Sequence, residues 1–183
     1  KCAMKATGIV RRIDDLGRIV IPKEIRRTLR IREGDPLEIF TDREGKVILK
    51  KYSPIGELGT LAGIYADSLS KTLDCTVCIT DTDQVIAAAG NGKKELQEML
   101  LSAELAEVFQ ERKTVLKKSS DAEFVAITKD RREYSEEIIS VILSEGDIAG
   151  GVIFLQKNEK KHFGEMEKKF AAGAADLLGR QLS

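Results

Sequence analysis

Residues 7–29 read TGIVRRIDDLGRIVIPKEIRRTL, and this stretch decides the fold of the first part of the chain. β-Branched residues on both sides of the turn-forming run 14–17 predict two short strands, residues 7–13 and 18–21. A proline follows the second strand and ends it, because proline has no N–H to donate to a neighbouring strand. Residues 23–29 then have helical spacing, with apolar side chains four positions apart on one face.

The same stretch is rich in basic side chains: six of its residues are basic, and five of these are arginine. The guanidinium group of arginine suits phosphate or guanine because it can donate two parallel hydrogen bonds. Doubled by a dimer axis, arginines on two strands and one helix would form a continuous positive surface. Composition alone leaves a second interpretation open, a solvated basic face that binds no partner.

The charge of the chain is divided unevenly along its length. Residues 1–52 hold 14 Lys and Arg against 8 Asp and Glu, a net charge of +6, whereas the remaining residues hold 16 against 22, a net charge of −6. This asymmetry suggests a different partner for each segment, and a compact basic segment fits a polyanion such as nucleic acid. A chance imbalance with no partner is the alternative.

The basic segment is small for a domain that folds alone. Two further predicted strands, residues 37–41 and 47–51, form a hairpin across DREG and complete the segment. A domain of this size usually needs disulfides, a metal or oligomerisation. The segment has no histidine and no cysteine beyond Cys2. We therefore expect it to form a homodimer.

The order DDLGRIVIPKEIRRTL over residues 14–29, followed by LEIF at 37–40 and VILKKY at 47–52, resembles the DNA-binding domain of the AbrB family of bacterial transition-state regulators. The resemblance covers nearly all of residues 5–52. It implies a swapped-hairpin fold, in which two chains interleave their strands into one β-rich, barrel-like dimer. Swapped-hairpin proteins also serve as antitoxins that neutralise a toxin, so an antitoxin-like interaction module is the alternative.

The family resemblance also implies double-stranded DNA as the partner and arginine as the residue type that contacts it. Asp14, Asp15 and Gly17 would shape the turn that presents Arg18. The DNA-binding residues that the resemblance carries over by position are Arg11, Arg18, Arg26 and Arg27, with Arg12 and Lys5 as further basic positions.

Residues 53–183 predict a second domain of the α+β class, with an antiparallel sheet and a helix at each end. Alternating and apolar runs between turn signals predict its strands, and apolar stripes at spacings of three and four predict its helices. The predicted strands are residues 76–80, 84–89, 124–127, 138–143 and 148–155, and the predicted helices run to about residue 73 and over 93–112 and 163–182.

The whole chain further resembles a member of the same family that joins this DNA-binding domain to a C-terminal GAF-like domain. This resemblance implies a regulator of late, forespore-specific sporulation genes that acts as both activator and repressor, in the cytoplasm and on the nucleoid. It also implies a homotetramer built as a dimer of dimers. The apolar stripes of the two terminal helices could hold the tetramer together, or they could only cover their own sheet. The sequence names no ligand for the GAF-like domain, and a small-molecule effector is left open.

No arrangement of residues predicts an enzyme, a cofactor or a metal site. Cys75 and Cys78 form a C-x-x-C, but side chains three apart on a strand point to opposite faces, so we expect two buried structural cysteines. His162 is the only histidine and is expected at the surface before the last helix. Asp81 and Asp83 are expected to shape a hairpin rather than to act as paired catalytic carboxylates.

Overall fold

The structure is a computed structural model that describes residues 7–129 and 134–182. The chain divides into two compact units, of which the first ends at Tyr52 and the second begins at Ser53.

The first unit contains one short helix and one hairpin. Helix α1 (Lys23–Thr28) is followed by strands β1 (Leu37–Thr41) and β2 (Val47–Lys51), which pair antiparallel. The helix ends where Arg30 takes a left-handed conformation, with φ of 54°. The N–H of Ile31 then donates to the carbonyl of Arg26 at 2.8 Å, which satisfies a carbonyl at the helix end.

The two strands predicted for residues 7–13 and 18–21 do not form in the single chain. These segments are extended or irregular, and only the turn between them is closed. The N–H of Asp14 donates to the carbonyl of Arg18 at 3.0 Å, and the N–H of Gly17 donates to the carbonyl of Asp14 at 3.0 Å. A strand needs hydrogen bonds from a neighbouring strand along its length, and the described residues of one chain supply none to either segment.

The second unit is a five-stranded antiparallel sheet covered on both faces. The spatial order of its strands is β4-β3-β7-β6-β5. Its elements are α2 (Pro54–Glu57), α3 (Gly59–Leu73), β3 (Thr76–Thr80), β4 (Val85–Ala89), α4 (Lys93–Leu96), α5 (Ala103–Gln110), β5 (Thr114–Lys118), β6 (Glu136–Ser144), β7 (Asp147–Gln156) and α6 (Glu165–Gln181).

Two hydrophobic clusters, one on each face of the sheet, form the core. The first joins α3 and α6 to the sheet, for example through Ala66, Ala174 and Phe154. The second joins α5 and the segments beside it to the other face, for example through Leu105 and Ile153. The sheet is therefore buried on both sides, which explains why β6 and β7 are near-continuous apolar runs.

The helix predicted over residues 93–112 is broken in the structure. Residues 97–101 leave the helical path and lie along the edge of β4, where the N–H of Val85 donates to the carbonyl of Met99 at 2.9 Å. The side chain of Gln97 also pairs with this edge, accepting from the N–H of Ala88 at 3.0 Å and donating to the carbonyl of Ile86 at 2.7 Å. Covering the exposed edge of a sheet has overridden the local helical pattern.

The strand predicted over residues 124–127 is also wrong, and the fifth strand is β5 instead. Residues 124–127 form a loop that lies over one face of the sheet, while β5 pairs with β6 at the sheet edge. The sequence of β5, TVLKK, has little apolar content because an edge strand is partly exposed. A pattern based on hydrophobicity therefore did not predict this strand, because the strand lies at the edge of the sheet.

Candidate nucleic-acid interface

The described part of the first unit, residues 7–52, forms almost no buried apolar core in the single chain. Helix α1 contains no buried residue, and Val10, Leu16 and Val20 expose 84%, 70% and 73% of their surface. Other large apolar side chains of this unit are exposed as well: Ile9, Ile13, Ile19, Leu29, Ile39, Phe40, Val47, Ile48, Leu49 and Tyr52. Folding of this unit cannot be driven by the burial that one chain provides.

The predicted arginines are exposed and lie on two local elements of this unit. Arg26 and Arg27 occupy the last turn of α1, where a positive charge also interacts favourably with the helix dipole. Arg11 and Arg12 lie in the extended segment before the turn, and an Nη of Arg11 donates to the carbonyl of Val10 at 3.2 Å. The sixth predicted residue, Lys5, lies outside the described residues.

Arg18 differs from the other arginines because the turn before it holds its side chain. One oxygen of the Asp14 carboxylate, Oδ1, accepts from the N–H of Leu16 at 3.0 Å and from the N–H of Arg18 at 2.8 Å. The second oxygen, Oδ2, accepts from Nε of Arg18 at 2.8 Å. The hydrogen bonds from Arg18, first from its backbone and then from its side chain, lower the pKa of Asp14 below its ordinary value. Asp14 therefore stays ionised under ordinary conditions, paired with a cation.

The same turn geometry recurs in the hairpin between β1 and β2. Oδ1 of Asp42 accepts from the N–H of Glu44 and from the N–H of Lys46, both at 2.9 Å. Nζ of Lys46 lies 3.3 Å from Oδ2 of Asp42 and also contacts the carboxylate of Glu44. The spacing D-x-x-G-[R/K], shared by residues 14–18 and 42–46, could have predicted both turns from the sequence.

The two cysteines of the second unit lie in different hydrophobic clusters. Cys75 belongs to the cluster under α3 and α6, and Cys78 belongs to the cluster on the α5 side. Both are free and buried, and burial is the main reason that the pKa of each thiol is raised to about 12. This arrangement confirms the prediction of two buried structural cysteines.

Asp81, Asp83 and His162 take part in local structure. Oδ1 of Asp81 accepts from the N–H groups of Asp83 and Gln84, both at 2.7 Å, which closes the β3–β4 hairpin. His162 is exposed at the surface, and its Nδ1 lies 2.7 Å from the carboxylate of Glu136. Glu136 is buried and also accepts from the N–H of Phe163 at 2.6 Å, so it fixes the chain just before α6.

The described residues hold neither a cluster of metal ligands nor a membrane-spanning helix. Within residues 7–129 and 134–182, no three His, Cys, Asp or Glu side chains come together as the ligands of a metal ion would. In the same part of the chain, no helix has the length and apolar character to cross a membrane.

Comparison with known proteins relates both units to described families. A family model described as "Stage V sporulation protein T C-terminal, transcription factor" matches residues 57–183. A second model, described as "Antidote-toxin recognition MazE, bacterial antitoxin", matches residues 10–57.

Individual relatives agree with these models. Stage V sporulation protein T of Bacillus subtilis (strain 168) is 51% identical over 183 residues, which covers 98% of this chain and 99% of that protein. The transition state regulatory protein AbrB of the same organism is 67% identical over 51 residues, 28% of this chain and 52% of that protein. A solved GAF domain from an Acinetobacter phosphoenolpyruvate-protein phosphotransferase has a TM-score of 0.55 at 15% identity, covering 68% of this chain and 81% of that one.

An AbrB-like domain followed by a GAF-like domain defines the class of this protein, and it confirms the resemblance seen in residues 5–52. Within that class, the chain belongs to the stage V sporulation protein T family of transcription factors.

Proposed function

We propose that this protein is a DNA-binding regulator of late, forespore-specific sporulation genes, acting as both activator and repressor through a dimeric N-terminal domain. It works in the cytoplasm, on the nucleoid, and has no enzymatic role. Family membership supports the biological setting. The observation that carries the mechanism is that exposed arginines share one small unit with exposed apolar side chains.

A second copy of the chain would supply what the first unit lacks. Interleaving two copies covers apolar residues such as Val10 and Val20, and it gives residues 7–13 and 18–21 neighbouring strands with which to pair. A domain of this size gains stability most simply by such burial between subunits. The domain, which we place at residues 5–52, is therefore a homodimer.

The arginines of the two copies then bind double-stranded DNA. Arg11, Arg18, Arg26 and Arg27 make the principal contacts, with Arg12 and Lys5 beside them. Contacts to phosphate position the dimer, and the shape and deformability of the duplex tune its preference for sequence. Arginine fits both tasks because its guanidinium binds phosphate or guanine bidentately.

The affinity for duplex DNA should fall steeply with salt and depend on individual arginines. Each phosphate contact releases counterions, so the log–log slope is about −0.9 per contact. Arg18→Ala and Arg26→Ala should each weaken binding without unfolding the dimer, as read by fluorescence anisotropy and circular dichroism. A flat salt dependence contradicts DNA binding through phosphates, and unfolding of either variant would make that arginine structural.

The second unit joins two dimers into a homotetramer through α3 and α6. An open apolar groove of about 660 Å³ runs between these helices. Small residues on both helices would let a second copy approach closely, since a Cβ at Gly63 or at Gly173 would meet nothing within 4 Å. The side chains that line the groove are Tyr65, Leu69, Met166, Lys169, Phe170, Ala174 and Leu177.

An antitoxin-like role is the second candidate, because the MazE model matches residues 10–57. A patterned, folded second unit argues against it, since antitoxins of this type usually wrap their toxin with a flexible tail. Affinity purification of the full chain should recover DNA and no stoichiometric toxin. Recovery of a stable toxin partner would replace the present proposal.

A further inference from the structure

We infer that Asp14 is a positioning residue for DNA recognition, because its carboxylate holds the guanidinium of Arg18 in one orientation on the turn. The inference rests on the proposed function, since Arg18 can be positioned for DNA only if it contacts DNA. It goes beyond the turn-shaping role that the family resemblance implies for Asp14, because it assigns the Asp14 carboxylate an indirect role in DNA binding through the Arg18 guanidinium.

Asp14 is the centre of the turn formed by residues 14–18. Its backbone N–H and carbonyl bond to Arg18 and Gly17, and its Oδ1 accepts from the N–H groups of Leu16 and Arg18. These bonds use only one of the two carboxylate oxygens. The other oxygen, Oδ2, is therefore available for Nε of Arg18, which donates to it at 2.8 Å.

This contact leaves the end of the guanidinium for a partner. A guanidinium has five N–H groups, and the bond to Asp14 uses the one on Nε. The remaining four are on the two Nη nitrogens, which together form the fork that binds phosphate or guanine bidentately. The Arg18 side chain is 69% exposed, so a partner can reach this fork.

The contact with Asp14 matters because it fixes the rotamer of Arg18, not because it stabilises the folded domain. An ion pair this exposed contributes little to the stability of the folded domain. An arginine whose rotamer is already fixed, however, loses less conformational freedom when it binds than a free one does. A carboxylate on a surface that faces phosphates is otherwise unfavourable, and pairing with Arg18 offsets that cost.

Two other aspartates of the first unit provide matched controls. Asp15 lies in the same turn with its side chain exposed, and it makes no side-chain hydrogen bond or ion pair with the described residues. Asp42 forms the same backbone bonds in the second turn, but its cation is Lys46, which has no fork. Asp15→Asn therefore removes charge alone, and Asp42→Asn perturbs the same turn geometry away from Arg18.

The deciding variant is Asp14→Asn. Asparagine keeps an oxygen for the N–H groups of Leu16 and Arg18, but its NH₂ group cannot accept from Nε of Arg18. Binding is measured by fluorescence anisotropy to a duplex selected by the wild-type chain from a random-sequence pool, and to the unselected pool as non-specific reference. We expect the ratio of selected to unselected affinity to fall about 5- to 100-fold, because one long side chain must be ordered in each of the two subunits.

The controls and a double-mutant cycle separate positioning from charge and from folding. Asp15→Asn should raise both affinities equally, and Asp42→Asn should leave the ratio unchanged. In an Arg18→Ala background, Asp14→Asn should no longer change the ratio, because the residue that it positions is gone. An unchanged ratio in Asp14→Asn alone, or an equal fall with and without Arg18, overturns the inference.

Failure of the proposed function has a different signature. If Arg18→Ala binds both duplexes as the wild type does, Arg18 is not a DNA contact and the assignment of the arginines fails. If Arg18→Ala weakens binding while Asp14→Asn keeps the wild-type ratio, only the positioning role of Asp14 fails. The exchange of the Arg18 Nε–H with water, measured by ¹⁵N NMR, tests the contact in the absence of DNA. This exchange should be slow in the wild type and rapid in Asp14→Asn. Equal exchange rates in the two proteins overturn the inference.

Discussion

At the scale of single residues, Glu137 is a buried carboxyl group with one oxygen unsatisfied among residues 7–129 and 134–182. It is fully buried in β6, and its Oε1 accepts from the N–H of Val125 at 3.1 Å, while no described residue forms a hydrogen bond with Oε2. The cavity beside it, about 10 Å³, has room for roughly one water molecule. Lys117 lies opposite on β5 but donates to the carbonyl of Glu123 at 2.9 Å. Burial therefore dominates and raises the pKa of Glu137 to about 7.

The raised pKa of Glu137 predicts a loss of stability as pH rises. The folded state holds the proton up to about pH 7, whereas the unfolded chain releases it near the ordinary value of 4.5. The contribution of this group is therefore most favourable below pH 4.5, declines between pH 4.5 and 7, and changes no further above pH 7. At 1.36 kcal/mol per pKa unit, the decline amounts to roughly 3 kcal/mol.

Glu137→Gln should remove this decline, because glutamine does not titrate. The check is the pH dependence of the free energy of unfolding in urea, together with a ¹³C titration of the Glu137 carboxyl, expected near pH 7. The neighbouring Glu136 is the control. Burial raises its pKa, but the hydrogen bonds from Phe163 and His162 outweigh burial and leave the pKa lowered. Glu136→Gln should therefore destabilise the protein at neutral pH. A Glu137 carboxyl that titrates near its ordinary value would contradict the raised pKa and the predicted decline in stability.

At the scale of single elements, α6 shows that two glycines of one helix can have opposite roles. A Cβ at Gly179 would lie 2.1 Å from the backbone carbonyl oxygen of Leu143, whereas a Cβ at Gly173 would meet nothing within 4 Å. The first glycine lets the helix approach β6, and the second leaves open space on the outer face. Only the first is required for packing within the domain.

Gly179→Ala should lower the free energy of unfolding by about 1–3 kcal/mol, because the helix must move away from the backbone of β6. Gly173→Ala, the control in the same helix, should raise it by about 1 kcal/mol through helix propensity. Gly173 also borders the apolar groove, so thermal or urea unfolding of both variants is compared in dilute samples, where association is weakest. Equal stability of the two variants would show that α6 does not approach β6 closely.

Helices and strands also show where sequence patterns are reliable. The spacing of apolar residues correctly predicts α1, α3 and α6. Alternating or apolar runs between turn signals correctly predict strands at β1, β2, β3, β4, β6 and β7. The helix predicted over 93–112 is wrong because residues 97–101 cover the edge of β4. Strand β5 is missed because its edge position leaves it partly exposed. Both errors arise from neighbours that are distant in the sequence.

At the scale of the whole molecule, the proposed homotetramer would be held together by the outer face of α3 and α6. Met166 and Phe170 expose 62% and 44% of their surface beside the groove. Phe170→Glu should place two or more charges in the interface of a tetramer, which is costly when they are unpaired. We expect the variant to sediment as a dimer, with α-helical circular dichroism unchanged.

The matched control for assembly is Lys168→Glu, which changes the charge of the same helix through a partly exposed side chain outside the groove lining. It should remain a tetramer in light scattering and analytical ultracentrifugation. A tetrameric Phe170→Glu variant would exclude this face as the interface between dimers. A monomeric one would indicate that α3 and α6 hold the dimer itself together.

The sequence by itself determined the class of each domain and the residue types of the candidate site. The run over residues 14–29 is local: Asp14, Gly17 and Pro22 set the backbone, so the turn and α1 can be predicted from neighbours along the chain. The arginines were named because the same run resembles the AbrB family, and their contacts with DNA stay a prediction. Tertiary structure alone decided that Nε of Arg18 bonds to Asp14 and that Glu137 is buried with no partner for Oε2 in the part of the chain that the structure describes. Side-chain contacts and burial depend on distances between atoms, which spacing along a sequence does not specify.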